Sequence, residues 1–245
     1  MVTYSNLGDG VESSSCAELR RSVVDIMSYS QVGLDLLRSG RHTAAIKQLQ
    51  NALTTARKIS RIDQSLLEIF FREIQVSPCH VEVGPLPLDH NTFVLNSICF
   101  TMSWIPRDGT ASSICQTKDF FAVVLYNLGY AFHISSLLGA ATSGTRTKRA
   151  SKLYSLAAEC LSARNYWSLS DESSLHLTLC IHNNWSHLCF QHFDRHPLTL
   201  CLQVLERCMS LLRSFPERDG LHQSICNAAI MNLLSSESSK PAPAA

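Results

Sequence analysis

Charge is scarce in this chain. Asp, Glu, Lys and Arg make up 17% of its 245 residues, where ordinary globular domains carry about 25%. Much of the chain must therefore be interior or interface. Neither sign dominates: the formal net charge is +1 and the pI about 7.6. That balance excludes the basic stripe and the pI above ~9 that mark a nucleic-acid binder. The densest basic cluster, Arg146, Lys148, Arg149 and Lys152, reads as a solvated turn leading into a helix. Disorder across the body is excluded as well. It requires low hydrophobicity and high net charge, and hydrophobic residues here reach 45%.

Recognisable chemistry is equally sparse. The ten cysteines include no C-x-x-C pair, and their share lies well below the ~8–10% of a disulfide scaffold. Most fall on apolar helical faces, where a free thiol behaves as a small hydrophobe. This predicts reduced core thiols and a cytoplasmic or nuclear setting. There is no G-x-S-x-G elbow, no P-loop and no dinucleotide fingerprint; Gly8-Asp9-Gly10 lies in a polar leader with no strand before it. Cys180, His182, His187, Cys189, His192 and His196 form a Cys/His-rich stretch, but without regular zinc spacing. Core cysteines with scattered surface histidines are the better reading, so no catalytic residue, cofactor or metal ligand is expected.

The N-terminus lacks the basic start and apolar stretch of a signal peptide. Residues 120–145 carry no charged side chain and are long enough to cross a bilayer. Asn127, His133, Ser135 and Ser136 interrupt that stretch, and no membrane span is expected. The sequon Asn184-Trp185-Ser186 falls inside a predicted helix, so glycosylation is not expected.

What is present is helical periodicity. Val23, Ile26, Val32, Leu36 and Leu37 mark one apolar stripe near the 3.6 period, and Ala45, Ile46, Leu49, Ala52 and Leu53 mark a second. Ser39-Gly40 between them is a turn signal. The same reasoning predicts helix pairs near 20–59, 119–163 and 171–213, with a last amphipathic segment from Gly220 to Leu234. Ser168 or Ser170 is placed to cap the helix that carries Asp171 and Glu172 in its first turn. Pro197 suits the first position of the next helix. A helical domain over 18–235 results, between a leader at 1–17 and a tail at 236–245 whose compositions favour disorder. Within it, Pro78, Gly84, Pro85 and Pro87 disfavour helix and define an irregular insertion over 76–118. Thr92–Trp104 is rich in β-branched and aromatic residues and reads as extended or a short strand. Its only nearby partner is the stretch 80–83.

Residues 26–59 resemble the tetratricopeptide unit, a helix pair of ~34 residues with small and large positions at fixed spacing. Tyr29, the pair Val32-Gly33, the turn at Gly40 and the ladder Ala45, Leu49 and Ala52 carry the likeness. Leu36 stands where the motif has an aromatic, and Arg57 where it has proline. A second unit matches Leu128, Gly129 and Phe132, then Ala150, Tyr154 and Ala157, with a longer turn. A third is degenerate: Trp185, Ser186 and Cys189, then Leu198, Leu202 and Leu205. The layout is similar to that of tetratricopeptide-like proteins of microalgae, a likeness that carries no particular activity.

The resemblance implies an all-α solenoid of antiparallel helix pairs, not an enzyme but an adaptor that binds a protein or peptide on its concave face. Matched by position, that face would carry Ser30, Leu34, Leu37 and Arg38 from the first pair. The second would supply Tyr126, Tyr130, His133 and Ile134, and the third Asn183, His187, Phe190 and Gln191. Ser30 and Leu34 replace the Lys and Asn that clamp acidic C-termini, so a receptor of that type is not expected. Three alternatives stand beside this one. The chain could be a self-associating structural subunit without a groove, the 60–118 insertion could fold back and fill the groove, or the chain could be a metal-binding or hydrolytic protein.

Overall fold

The computed structural model describes residues 14–62, 64–81, 93–105, 117–139, 143–162, 172–215 and 220–238. Most of the expected leader, most of the tail, the candidate caps Ser168 and Ser170, and the middle and end of the insertion lie outside these residues. The fold is mainly α. Its helices are α1 (Ser14–Arg38), α2 (His42–Ile59), α3 (Gln64–Phe71), α4 (Thr117–Leu138), α5 (Ser143–Ser162), α6 (Glu172–Gln191), α7 (Arg195–Leu212) and α8 (Gly220–Ser238). Between α3 and α4 lie two strands, β1 (Ile74–His80) and β2 (Ile98–Trp104). The expectation of an all-α fold is corrected by this small antiparallel sheet.

Each pair of neighbouring helices shows why its sequence folds as it does. Gly40 has φ of +72°, a conformation that costs residues with a Cβ, and it turns the chain from α1 into α2. A Cβ added at Gly33 would meet Leu49 Cγ at 2.7 Å. The missing side chain is what lets α1 and α2 approach this closely. Gly129 does the same for α4 and α5, where a Cβ would meet Tyr154 Cε1 at 3.0 Å and Leu153 Cβ at 3.3 Å. Ala45, Leu49 and Ala52 are buried, as are Ala150, Tyr154 and Ala157. The third pair keeps its register differently. The residues of α7 that face inward are Cys201, Leu205, Cys208 and Leu212, and Leu198 and Leu202 are only half-buried. Phe193 and Asp194 form the turn, with Phe193 at φ of 54°. Pro197 is the third residue of α7 rather than the first. It still sits where the helix has no use for a backbone N–H.

Helix α4 is the centre of the molecule and packs on α1, α2, α3, α5, α6 and β2. A helix apolar on all sides belongs in an interior. This one is long and apolar enough to cross a membrane, and 83% of its most apolar window is buried by the rest of the fold.

The strand pairing also differs from expectation. β1 begins at Ile74, directly after α3, and pairs Ile74 with Trp104 and His80 with Ile98. Pro78 hid this strand in the sequence. It lies opposite Phe100, whose N–H and C=O are both engaged by Asn127. A donor at position 78 would have had no acceptor across the ladder, so proline is tolerated there.

Candidate functional site

An extended segment of the chain runs across α4, α6 and α8, and its backbone is held by side chains. Phe93 opens the segment, stacked on Phe190 with ring centroids 4.3 Å apart. Asn232 of α8 takes the Val94 N–H on its Oδ1 and donates Nδ2 to the Val94 carbonyl at 3.0 Å. Asn183 of α6 donates to the same carbonyl at 2.9 Å. Asn184 accepts the Asn96 N–H at 2.8 Å and donates to the Asn96 carbonyl at 3.1 Å. Two residues on, the Tyr126 hydroxyl donates to the Ile98 carbonyl at 2.6 Å, and the Ile98 N–H donates to Asn96 Oδ1 at 3.1 Å. Asn127 of α4 then accepts the Phe100 N–H at 3.1 Å and donates to the Phe100 carbonyl at 2.7 Å.

The spacing has a physical cause. In an extended chain, successive residues turn their backbone groups to opposite edges. Residues 94, 96, 98 and 100 therefore share one edge, and the helices meet that edge. β1 meets the other edge along β2, where the Val81 N–H also reaches the Ser97 carbonyl at 3.0 Å. A primary carboxamide offers one acceptor and a donor pair, which is the complement of a peptide group. Three asparagines each meet an N–H and a C=O of one residue, and that fixes the orientation of each amide. The asparagines are cross-braced: Asn184 Nδ2 donates to Tyr126 Oη at 2.9 Å, and Asn232 Nδ2 to Asn183 Oδ1 at 2.7 Å. Asn127, Asn183, Asn184 and Asn232 are all fully buried. In a low-dielectric interior each such pairing is strong, and each broken one is costly.

Further along the same face, His133 Nε2 lies 3.1 Å from His187 Nδ1, and His133 Nδ1 lies 3.3 Å from the Tyr154 hydroxyl. Burial disfavours the charged imidazoles. His187 and His182 are each pushed down to about 4. His133 is held well below its ordinary value by burial and by the neighbouring His187. The phenols of Tyr126, Tyr130 and Tyr154 and the thiols of Cys99 and Cys180 are all pushed upward, chiefly by burial. Each is neutral at physiological pH, so no activated nucleophile lies among them.

The residues chosen from sequence fall into three groups. Tyr126 and Asn183 touch the extended segment. Ser30, Leu34, Tyr130 and His133 are buried in the core, and His187 is partly buried against His133. Arg38 and Gln191 are exposed; Arg38 donates Nε to the His80 carbonyl at 3.2 Å and Nη1 to Asp35 at 2.8 Å. Of the face expected to be open, Tyr126 and Asn183 are thus covered by the chain's own residues 94–98, while Arg38 and Gln191 stay exposed. Asn127, Asn184 and Asn232 were missed. Their signal is a polar side chain with poor helix propensity set inside an apolar helical window, which demands a buried partner. Asn184 is the sequon asparagine, and it lies in the interior of α6.

No family model, no curated protein and no solved structure matches this chain.

Proposed function

We propose that the chain is a protein-binding adaptor. Its stacked helix pairs form a cradle for an extended peptide, and residues 93–100 occupy that cradle in cis. The single observation that carries this reading is the set of backbone contacts at 94, 96, 98 and 100, made by side chains of α4, α6 and α8. Contacts to backbone are indifferent to side-chain identity. The cradle therefore suits any extended segment with a comparable apolar pattern, the mode in which main-chain hydrogen bonds give affinity and alternate side chains give specificity. The order of packing supports a solenoid-like stack. α1 packs on α2, α2 on α4, α4 on α5, α5 on α6 and α6 on α7, with Gly33 and Gly129 at the close crossings as in a tetratricopeptide-like unit.

Access is available from one side. A cleft of about 440 Å³ lies between residues 94–97 and the first part of α8, lined by Val94, Asn96, Gln223, Asn227 and Met231. A competing strand would enter there. Binding of a labelled 93–104 peptide to the full chain, followed by fluorescence anisotropy, tests the reading. The Ile98→Ala chain, whose own segment is loosened, should bind it at least tenfold more tightly than the parent. Adding Asn184→Leu should abolish that gain. An Ile98→Ala chain that keeps its far-UV circular dichroism yet binds no peptide contradicts the proposal.

A second reading, a self-associating subunit, draws on one observation. Ile230, Met231 and Leu234 of α8 are 41%, 50% and 57% exposed. Light scattering at low concentration separates the readings, since a stable oligomer lost in Met231→Glu favours self-association.

A further inference from the structure

Away from the cradle, three metal-ligating side chains converge where α6 and α8 begin. Glu172 and His176 stand one helical turn apart on α6, and His222 enters from α8. His176 Nε2 lies 3.0 Å from His222 Nδ1. Glu172 Oε1 lies 3.4 Å from His222 Nδ1 and 4.0 Å from His176 Nε2. Both imidazoles are buried and the carboxylate is partly so. We propose that these three residues bind a divalent transition-metal cation, zinc foremost, as a staple between α6 and α8.

The separations fit the ion. Tetrahedral zinc holds N and O ligands at about 2.0–2.1 Å, which sets neighbouring ligand atoms about 3.4 Å apart. The observed 3.0, 3.4 and 4.0 Å bracket that figure. The donor set of two imidazoles and one carboxylate suits zinc and its transition-metal neighbours better than calcium or magnesium, which take oxygen ligands. An outer support is present too. His222 Nε2 lies 3.6 Å from Cys226 Sγ, so an imidazole that coordinates through Nδ1 points its remaining N–H at that sulfur, orienting the ring. Three protein ligands leave the fourth position to water.

The site lies ten residues before Asn232 on α8 and seven before Asn183 on α6, the pair that joins the same two helices through a 2.7 Å hydrogen bond. A cation near the start of α8 and this amide pair in its second half hold the helix at two places. The proposal is independent of whether the cradle ever accepts a foreign peptide.

The test uses the full chain, stripped with a chelator, dialysed, and titrated with ZnCl2 and separately with CoCl2. One equivalent of zinc should bind and raise the melting temperature by several degrees. Cobalt should give the visible absorption of a four-coordinate site. Glu172→Gln, at a partly exposed position, and His222→Gln should each keep the parent circular dichroism and weaken zinc binding tenfold or more. Cys226→Ser should weaken it less. Absence of stoichiometric binding overturns the proposal. So does equal affinity in the parent, Glu172→Gln and His222→Gln, because the ion would then sit on other thiols or histidines.

Discussion

At the residue scale, most of the specificity lies in four buried asparagines. Each sits in a helix interior, where asparagine is a poor helix former, and each recovers that cost by bonding to backbone groups of the extended segment. Asn184→Ala removes partners from the Asn96 N–H and C=O together. Unsatisfied buried groups cost about 1–3 kcal/mol each, so urea unfolding should show a loss of about 2–4 kcal/mol. Asn184→Asp, identical in shape, should be no better, since it loses the donor to the Asn96 carbonyl and buries a charge. Histidines supply a second prediction. With His182 and His187 pushed to about 4, the unfolded chain takes up their protons first as pH falls below about 6.5. Stability that is fully present above 6.5 should therefore decline toward pH 4, by about 1.4 kcal/mol per pH unit for each histidine. Urea midpoints taken across that range will show it, and replacing His187 with Asn should flatten the slope.

At the scale of elements, the helix crossings decide. Gly129→Ala adds a methyl against the Tyr154 ring and Leu153 Cβ, and overpacking costs about 1–3 kcal/mol, more than the helix propensity it gains. Gly144, near the start of α5, has no heavy atom within 4 Å of an added Cβ. Gly144→Ala should instead raise stability by about 0.5–1 kcal/mol. Thermal melting of the two variants should move in opposite directions. These crossings were legible in the sequence because glycine and alanine recur at helical spacing, as at Gly33, Ala45 and Ala52. β1 was not, because Pro78 argues against a strand unless one knows that Phe100 opposes it. The cradle was half legible. Tyr126 and Asn183 were found from motif position, and each missed partner, Asn127 and Asn184, is the adjacent residue. A helical wheel assigns the neighbour to another face, but an extended segment lying across the helix touches both. Asn232 and the Glu172–His176–His222 cluster join parts of the chain far apart in sequence, and no local pattern announces them.

For the whole molecule, the consequence is that α4, α6 and α8 already hold an extended segment of the chain itself. Replacing Tyr126 and Tyr130 with alanine, reasonable for an open groove, would instead empty the core, since both rings are fully buried. Segment 93–100 bonds to α4, α6 and α8, three helices that pack together but lie far apart in sequence. Its fit is therefore a property of the assembled fold rather than of any one pair. Amide hydrogen exchange resolved by residue tests that directly. The amides of Val94, Asn96, Ile98 and Phe100 should exchange ~10³-fold or more slowly than in an unstructured peptide, as expected of groups released only by large-scale opening, and Asn184→Ala should strip that protection from Asn96. Exchange across 93–100 at the rate of a free peptide would show an empty cradle, and with it no held segment for a partner to replace.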